Sequence, residues 1–564
     1  MEFLDARRLT GPSLLFDEPG SILDIRCSDD EAAQLIPAWE THVRRMLAEL
    51  GLTYAPEFVS LRLAGGISLG FTAPIDTLYA ASEINEWAWA QCKADLDGGL
   101  PPDFEATVSA LREALLEESN PALRAVELQA ATHGVTLLWD DDDVSLGMGR
   151  HSRTWPLREL PDPAGLDWQA FNDIPIALVT GTNGKTTTVR LAAHIMSSAG
   201  WRPGMSSTDY IAIGERVIDR DDWAGPGGAR IVLRHNDVDA AVLETARGGL
   251  LRRGLGVRTA DVALVTNIAR DHLGDFGSQS LEELLNIKWI VSRAVRDHGQ
   301  LVLNADDQLL VGKSRDYSGS IVWFSLDAEN EVIREHVRAG GTAFVLDGDE
   351  LQRIDGDSRE QVVREEEVPI TLHGAARHNT ANALAAAALT HCLGIPLDVI
   401  RTGLTTMSQD SNPGRGNVYV VNGVTVIVDF AHNPQALKAL LGMANRMPGK
   451  RKILCFGQAG DRTDDLIREL ARNAWSTGLD RVHVAELAKY HRGRTAGEVY
   501  AIIRDELIRC GANEKQVLHF EHEIDSFESA LDWAQPGDLV IMLALERSAD
   551  LYARLADLQS RSGS

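Results

Sequence analysis

A glycine-rich turn that carries a lysine follows directly on an apolar, β-branched run near residue 180. The turn reads Thr-Gly-Thr-Asn-Gly-Lys-Thr-Thr over residues 180–187, between the run 174–179 and a helical pattern. Glycines in such a turn let backbone N–H groups face a phosphate, and the next helix N-terminus adds a favourable dipole. The general Walker pattern requires glycine at position 179, where this chain has valine, so the turn is a shorter variant. A lysine in this frame argues against a purely structural turn and predicts nucleotide binding.

The side chains of the turn have expected parts in that binding. Lys185 can reach the β- and γ-phosphates, and the Thr186 hydroxyl can ligate Mg²⁺. The predicted nucleotide-binding residues of the turn are Gly181, Thr182, Asn183, Gly184, Lys185, Thr186 and Thr187.

Apolar runs alternate with helical stretches from residue 174 onward, which is typical of a parallel sheet with crossover helices. After a Pro/Gly-rich break at 412–416, four more runs predict buried strands at 424–429, 452–456, 481–485 and 539–543. A chain of 564 residues is too long for one core. We therefore predict an α/β fold with three parts: an α+β N-terminal domain (1–165), a central P-loop nucleotide-binding domain (166–412) and a smaller Rossmann-like C-terminal domain (413–564).

The first 165 residues contain no recognisable nucleotide motif. Their patterns predict helices at 31–50 and 104–118 and a strand at 135–139. Four consecutive aspartates at 140–143 predict a solvated turn, with a metal site as the alternative. Residues 156–163 have the composition of a linker.

The charge balance excludes some classes of partner. With 55 basic and 82 acidic residues the net charge is −27, and such a surface repels phosphate backbones, so we expect no nucleic acid. Attraction of a cationic substrate is one interpretation of this acidity, and simple solubility is the other. No apolar run approaches the roughly 18 residues needed to span a bilayer, and the N-terminus lacks the pattern of a secretory signal. We therefore expect no membrane association.

The five cysteines are scattered and include no CxxC pair. This pattern disfavours a disulfide framework or a zinc site and fits a reducing cytoplasm. Cys392 and Cys455 lie in apolar stretches and are predicted to be core residues.

Further polar motifs follow the predicted strands. Glu244 closes one strand, and a carboxylate there, beside the phosphate site, is well placed to hold Mg²⁺. Residues 266–273 close another strand but lack the lysine and aspartate of the base-reading motif of GTPases. The other motifs are His-Asn-Thr-Ala-Asn (378–382), Pro-Gly-Arg (413–415), Asp-Phe-Ala-His-Asn-Pro (429–434), Gly-Asp-Arg (460–462) and Arg-Gly-Arg (492–494). Each is common alone, but their order is specific.

Together these motifs resemble the Mur ligase family, and within it the C-terminal ligase module of cyanophycin synthetases. The resemblance is carried by Glu-Thr-Ala-Arg-Gly-Gly-Leu-Leu-Arg-Arg-Gly-Leu-Gly (244–256), Asp-His-Leu-Gly (271–274) and Arg-Gly-Arg-Thr-Ala-Gly-Glu (492–498). Residues 144–151 are similar to the end of the N-terminal domain of those synthetases. Their ATP-grasp module has no counterpart, because too few residues separate Arg150 from the P-loop. Polymerisation of the backbone by this chain alone is therefore in doubt.

The resemblance implies a Mur-ligase-like fold and a reaction in which ATP phosphorylates a carboxylate and an amine then displaces phosphate. It implies one Mg²⁺ on Thr186 and Glu244 and a second near His272 and Glu244. Lys288 is either a carbamylated lysine beside the second ion or an ordinary lysine of a surface helix. The implied catalytic residues are Lys185, Glu244, His272 and Lys288.

The remaining implied roles concern the nucleoside and the substrates. Asn379 and Asn382 would contact adenine, Asp429 the ribose and Arg415 the phosphates, although Asn382 also fits an ordinary helix position. The implied substrate-binding residues are Arg247 for the acceptor, Arg462 and Arg492 for the carboxylate of the amine donor, and His432 and Asn433 where the C-terminal domain begins.

Three functions remain open at this stage. The favoured one is a ligase that joins an amino acid, such as arginine or lysine, to an aspartate-rich peptide or polymer, alone or with a separate ATP-grasp enzyme. The others are a peptidoglycan-type ligase acting on a UDP-sugar peptide and a non-catalytic scaffold that binds nucleotide. The sequence leaves open the oligomeric state, homo-oligomer included, and whether residues 1–165 hold a polymer or brace the fold.

Overall fold

The computed structural model describes residues 1–271, 273–274 and 276–562. The described residues form four β-sheets, two of which belong to the N-terminal 165 residues. Among the described residues, no helix is long and apolar enough to cross a membrane.

The N-terminal part consists of a four-stranded antiparallel sheet covered by helices, and a small three-stranded sheet. The first sheet has the strand order β1-β2-β4-β3, and the second has β5-β6-β7. The elements are β1 (Glu2–Leu9), β2 (Gly20–Arg26), α1 (Asp29–Glu49), β3 (Phe58–Leu63), β4 (Gly66–Thr72), α2 (Leu78–Asp97), α3 (Phe104–Glu118), α4 (Pro121–His133), β5 (Leu137–Trp139), β6 (Asp143–Leu146) and β7 (Arg153–Pro156).

Local sequence signals explain how these elements begin and pack. Ser28 and Glu31 form a capping box that starts α1. Inside the domain Trp39 is buried, and its indole N–H donates to Asn85 Oδ1 at 2.9 Å. Trp87 and Trp89 are also buried, so they are packing residues.

The central sheet has eleven strands and holds the P-loop at its middle. Its order is β11-β10-β9-β12-β8-β13-β14-β15-β16-β17-β18, and β8 pairs in parallel with β12 and β13. Helices cover both faces, which is why these strands read as continuous apolar runs. The elements are β8 (Ile176–Thr180), α5 (Lys185–Ser198), β9 (Pro203–Ser206), β10 (Ile211–Ile213), β11 (Arg216–Asp219), α6 (Pro226–Leu233), β12 (Ala240–Glu244), α7 (Arg247–Arg253), β13 (Ala260–Val265), α8 (Leu281–Trp289), β14 (Val295–Asn304), α9 (Gln308–Ser314), β15 (Ser320–Ser325), α10 (Glu331–Arg338), β16 (Thr342–Asp347), β17 (Glu350–Asp355), β18 (Ser358–Arg364), α11 (Arg377–Cys392) and α12 (Leu397–Thr406).

The C-terminal sheet has six strands in the order β19-β20-β24-β21-β22-β23, parallel except for the edge strand β19. Its elements are β19 (Arg415–Val421), β20 (Val424–Asp429), α13 (Pro434–Arg446), β21 (Lys452–Phe456), α14 (Asp464–Trp475), β22 (Arg481–Ala485), α15 (Glu498–Arg509), β23 (Val517–Phe520), α16 (Glu523–Trp533), β24 (Leu539–Leu543) and α17 (Ser548–Ser562).

The predicted α/β architecture is confirmed, and most predicted strands lie where the apolar runs placed them. Two details differ. The aspartate turn at 140–143 is not merely solvated, because Asp141 pairs with Arg8 at 2.8 Å and Asp140 pairs with Arg234, which ties it to two other segments. Cys455 is buried as predicted, whereas Cys392 at the end of α11 is only half-buried.

Candidate active site

The P-loop leaves β8 at Thr180 and runs into α5 at Lys185. Gly181 and Gly184 have φ values of 140° and 85°, which favour glycine. Close packing also requires glycine at position 184, because a Cβ there would lie 2.2 Å from Asn382 Oδ1. The Lys185 ammonium donates to the carbonyl of Thr182 at 3.1 Å. The backbone is therefore shaped to receive a phosphate.

A buried carboxylate lies directly beside the first turn of α5. Glu244, at the carboxyl end of β12, is 1% exposed. Its Oε2 accepts the Thr186 hydroxyl at 2.9 Å, and its Oε1 accepts the Thr208 hydroxyl at 2.6 Å. A carboxylate and hydroxyl oxygens beside a phosphate-binding loop are the ligand set that Mg²⁺ prefers. The residues present therefore fit Mg²⁺ held together with substrate phosphates.

His272, a predicted ligand of the second metal ion, lies outside the described residues. Its neighbour Asp271 is buried and contacts three side chains of the C-terminal part. These contacts join Asp271 to Arg462 at 3.6 Å, to His432 at 3.4 Å and to Asn433 at 3.4 Å. Among the described residues, no three His, Cys, Asp or Glu side chains form a metal-holding group by themselves.

Lys288 is a buried residue of α8, and the surface interpretation of this lysine is wrong. The residue is 4% exposed, and its Nζ donates to the carbonyl of Gly181 at 2.7 Å. Burial lowers the pKa of the Lys288 ammonium well below its usual value of 10.5, and the positive charge of Lys185 adds to this. Lys288 is therefore held at the base of the P-loop in surroundings that disfavour its charged form.

The predicted nucleoside contacts come from a helix of the central part and from two strands of the C-terminal sheet. Asn379 and Asn382 are buried in α11, where Asn382 Nδ2 donates to Asn379 Oδ1 at 3.2 Å. Asp429 closes β20, and burial raises the pKa of its carboxyl to about 6 although the Arg415 charge opposes the shift. Arg415 itself donates to Asp209 Oδ2 at 3.1 Å.

The C-terminal part contributes paired arginines. Arg462 is buried and Arg492 is half-exposed. Asp461 pairs with both of them, its Oδ1 at 2.8 Å from Arg462 Nη1 and its Oδ2 at 2.7 Å from Arg492 Nη1. Asn433 caps the start of α13 and also donates to Asn183 Oδ1 of the P-loop at 2.8 Å. The two sheets therefore meet at the P-loop itself.

One cleft of about 1360 Å³ joins these groups. Most predicted site residues line it, but Gly181 and Asn433 do not. The predicted residues that line the cleft are Thr182, Asn183, Gly184, Lys185, Thr186, Thr187, Glu244, Arg247, Lys288, Asn379, Asn382, Arg415, Asp429, His432, Arg462 and Arg492.

A group of arginines that we call the arginine wall lines the same cleft; it comprises Arg230, Arg247, Arg252 and Arg253. Burial and neighbouring arginines lower the pKa of Arg230 and Arg253, although both stay charged. Arg252 is exposed and forms no ion pair within the described part of the chain. The arginine wall thus brings four guanidinium groups to the lining of the cleft.

Sequence reasoning missed three residues that support the site. Thr208 and Asp209 follow β9, and Arg190 lies on α5, 2% exposed, with its guanidinium 2.6 Å from Asp209. Arg190 also donates to Asn412 Oδ1 at 3.1 Å, which ties α5 to the segment between the two large sheets. The position of Thr208 at the carboxyl end of a parallel strand was the available signal.

Two consecutive models of one protein family match most of the two large sheets. The Mur ligase middle domain matches residues 179–390, and the Mur ligase glutamate ligase domain matches residues 414–544. Together these ranges make up more than half of the chain.

Individual proteins agree with these matches. Cyanophycin synthetase of Crocosphaera subtropica is 36% identical over 374 residues, 65% of this chain and 42% of that protein. The 2,6-diaminopimelate ligase of Geobacter sulfurreducens that acts on UDP-N-acetylmuramoyl-L-alanyl-D-glutamate is 29% identical over 307 residues, 52% of this chain and 57% of that protein. The structure of E. coli FolC with DHPP and ADP covers 68% of this chain and 89% of its own, with a TM-score of 0.51 and 18% identity, and so shares the fold. The chain spans well under half the length of the synthetase.

Proposed function

The chain belongs to the Mur ligase family, and from this we propose that it is an ATP-dependent, ADP-forming ligase that joins a substrate carboxylate to the amine of an amino acid. The observation that carries the proposal is the shared cleft. The cleft is lined by the P-loop with Thr186 and Glu244, by Arg462 and Arg492 of the C-terminal part, and by the arginine wall.

The first step transfers the γ-phosphoryl group of ATP to the acceptor. A carboxylate oxygen attacks the γ-phosphorus, the bond to the β–γ bridging oxygen breaks, and ADP leaves. Such a step depends mainly on positioning and charge neutralisation. Lys185 supplies one positive charge at the P-loop. When bound, Mg²⁺ neutralises phosphate charge, and Thr186 and Glu244 are the residues that would hold it.

The second step forms the amide. The amine nitrogen, after losing a proton, attacks the acyl carbon, and the bond from that carbon to the phosphate oxygen breaks. We assign Arg462 and Arg492 to the carboxylate of the amine donor, because a guanidinium can bind a carboxylate through two parallel hydrogen bonds. The acyl phosphate must be kept from water, which fits a site between two sheets.

We propose a peptide with several carboxylates, in particular an aspartate-rich one, as the acceptor. The arginine wall supports this choice, because it extends positive charge beyond Arg247 along the cleft. Residues 1–165 would then form an acceptor-side domain, residues 166–412 the ATP domain and residues 413–564 the donor domain. Too few residues separate Arg150 from the P-loop to hold an ATP-grasp module, so we propose that a separate enzyme in the same cytoplasm makes the backbone.

We propose further that Lys288 is carbamylated and that its carbamate stands beside a second Mg²⁺. An uncharged amine is the form of lysine that reacts with CO₂, and burial lowers the pKa of Lys288, which favours that form. The Lys288 Nζ lies 2.7 Å from the Gly181 carbonyl oxygen of the P-loop. His272 and Glu244 are the other proposed contacts of that ion.

The experiment that tests the function is ADP and phosphate release from Mg-ATP by the purified protein. Each standard amino acid would be combined with aspartate peptides of two to six residues, and products would be weighed by mass spectrometry. We expect a mass gain of one amino acid minus water that depends on the donor, and its loss in Lys185→Ala. A gain seen only with a UDP-sugar peptide would replace the proposed acceptor. Tight ATP binding without any product would contradict the ligase assignment and favour a scaffold.

A further inference from the structure

The amino end of α8 departs from an ordinary helix cap. Ser280 caps the helix, and its hydroxyl accepts the Glu283 N–H at 3.1 Å. In a capping box, a glutamate at this position returns to the cap backbone. Here Glu283 Oε2 accepts the N–H of Gln279 at 2.7 Å, while Oε1 accepts the N–H of Ala64 at 2.6 Å. One carboxylate thus holds two backbone segments that are far apart in sequence.

Ala64 belongs to the turn between β3 and β4, so the second segment comes from the N-terminal sheet. The first residue of β4, directly after this turn, packs closely on the loop before α8. A Cβ added to Gly66 would lie 2.8 Å from the ring of Phe276. The β3–β4 turn and the first residue of β4 therefore lie against Phe276 and Gln279.

The loop in turn contacts the acceptor side of the site. Ser278 is fully buried, and its hydroxyl accepts a hydrogen bond from Arg247 Nη1 at 2.5 Å. Arg247 is the first residue of α7, which is only seven residues long. So short a helix takes its direction from its contacts.

The other end of α7 is bound to the same N-terminal sheet. Arg7 Nε of β1 donates to the carbonyl of Leu251 at 3.1 Å, and the Thr10 N–H donates to the carbonyl of Arg253 at 2.9 Å. Both ends of α7 are thus set by the N-terminal sheet, one directly and one through Glu283.

We propose that Glu283 is a positioning residue that fixes Arg247, through residues 278–279, in the direction that receives the acceptor carboxylate. This inference rests on the proposed function, because it takes Arg247 as the acceptor contact. It assigns the N-terminal sheet a part in acceptor geometry beyond bracing the fold.

The test compares Glu283→Ala with Glu282→Ala. Glu282 is the neighbouring exposed glutamate, and its side chain makes no hydrogen bond or ion pair within the described part of the chain. With a tri-aspartate probe and the donor that the wild type uses, we expect Glu283→Ala to raise the acceptor KM roughly ten- to hundredfold. The ATP KM should stay unchanged, Glu283→Gln should be intermediate because it keeps one acceptor oxygen, and Glu282→Ala should match the wild type.

A double-mutant cycle separates positioning from general loosening. In an Arg247→Ala background Glu283→Ala should add no further rise in the acceptor KM. A full further rise, or a rise in the ATP KM of the same size, would overturn the inference.

Hydrogen exchange keeps the inference testable whether or not a ligation product is found. We expect Glu283→Ala, and not Glu282→Ala, to speed amide exchange over residues 247–253 and 276–280. Unchanged exchange over 247–253 would refute the coupling even if the wild type is an active ligase. An inactive wild type with faster exchange in Glu283→Ala would instead refute the proposed function and leave the coupling supported.

Discussion

Replacement of Thr208 by valine should weaken the enzyme's use of magnesium without abolishing its fold. The Thr208 hydroxyl donates to Glu244 Oε1 at 2.6 Å, and valine has the same shape but no donor. The buried Glu244 carboxylate would keep the Thr186 hydroxyl at 2.9 Å and the Thr208 N–H at 3.2 Å. It would lose the shortest of its three hydrogen bonds.

The size of the effect follows from the charge on the acceptor. A hydrogen bond to a charged group contributes about 1.5–3 kcal/mol. Loss of a residue that orients a metal ligand typically costs about 10–100-fold in metal affinity or activity. We therefore expect the Mg²⁺ concentration for half-maximal ADP formation to rise by at least about tenfold.

The assay is direct chromatography of ADP at fixed ATP across a magnesium titration, with Thr208→Ser as the matched control. Serine keeps the hydroxyl, so its magnesium midpoint should stay within about twofold of the wild type. Equal midpoints for the valine and serine variants would refute the idea that Thr208 orients Glu244.

Three further results are expected. If Lys288 reacts with CO₂, ligase activity should fall as the pH is lowered, because protonation of the amine blocks that reaction, and added bicarbonate should restore it. NMR with ¹³C-labelled bicarbonate checks this, since the carbamate signal should be absent in Lys288→Met. Gly66→Ala should lower the melting temperature, because its Cβ would lie 2.1 Å from the Ile25 carbonyl oxygen and overpacking costs about 1–3 kcal/mol, whereas Gly165→Ala, with open space around it, should not. The pKa of Asp429 is raised to about 6 in the folded state, so this carboxyl stabilises the fold at low pH and loses that contribution as the pH rises through about 6. In urea unfolding, Asp429→Asn should lack this part of the fall of the unfolding free energy with pH.

Some features of the fold are encoded locally and could be predicted from the sequence. The P-loop is one, because its glycines, lysine and threonine act within eight consecutive residues. The strands β20, β21, β22 and β24 are others, because a strand buried on both faces must be a short apolar run.

Features that depend on pairing between distant segments were not predictable. Thr208 reaches Glu244 only because β9 pairs with β12, and nothing in the sequence states that order. Lys288 was ambiguous because α8 carries Glu282 and Glu283 in its first turn, like a surface helix. Lys288 is buried because α8 packs beside the P-loop, and the helical pattern of the sequence carries no information on that contact.

The contact between the P-loop and the C-terminal sheet is made partly by uncharged side-chain amides. Asn183 Nδ2 donates to Gln435 Oε1 at 2.7 Å, and Asn433 Nδ2 donates to Asn183 Oδ1 at 2.8 Å. Each such neutral bond contributes only about 0.5–1.5 kcal/mol, and salt does not screen it as it screens an ion pair. These neutral bonds therefore add little salt dependence of their own, and any sensitivity of the junction to ionic strength comes from the charged pairs Asp271–Arg462 and Arg415–Asp209 that also cross it.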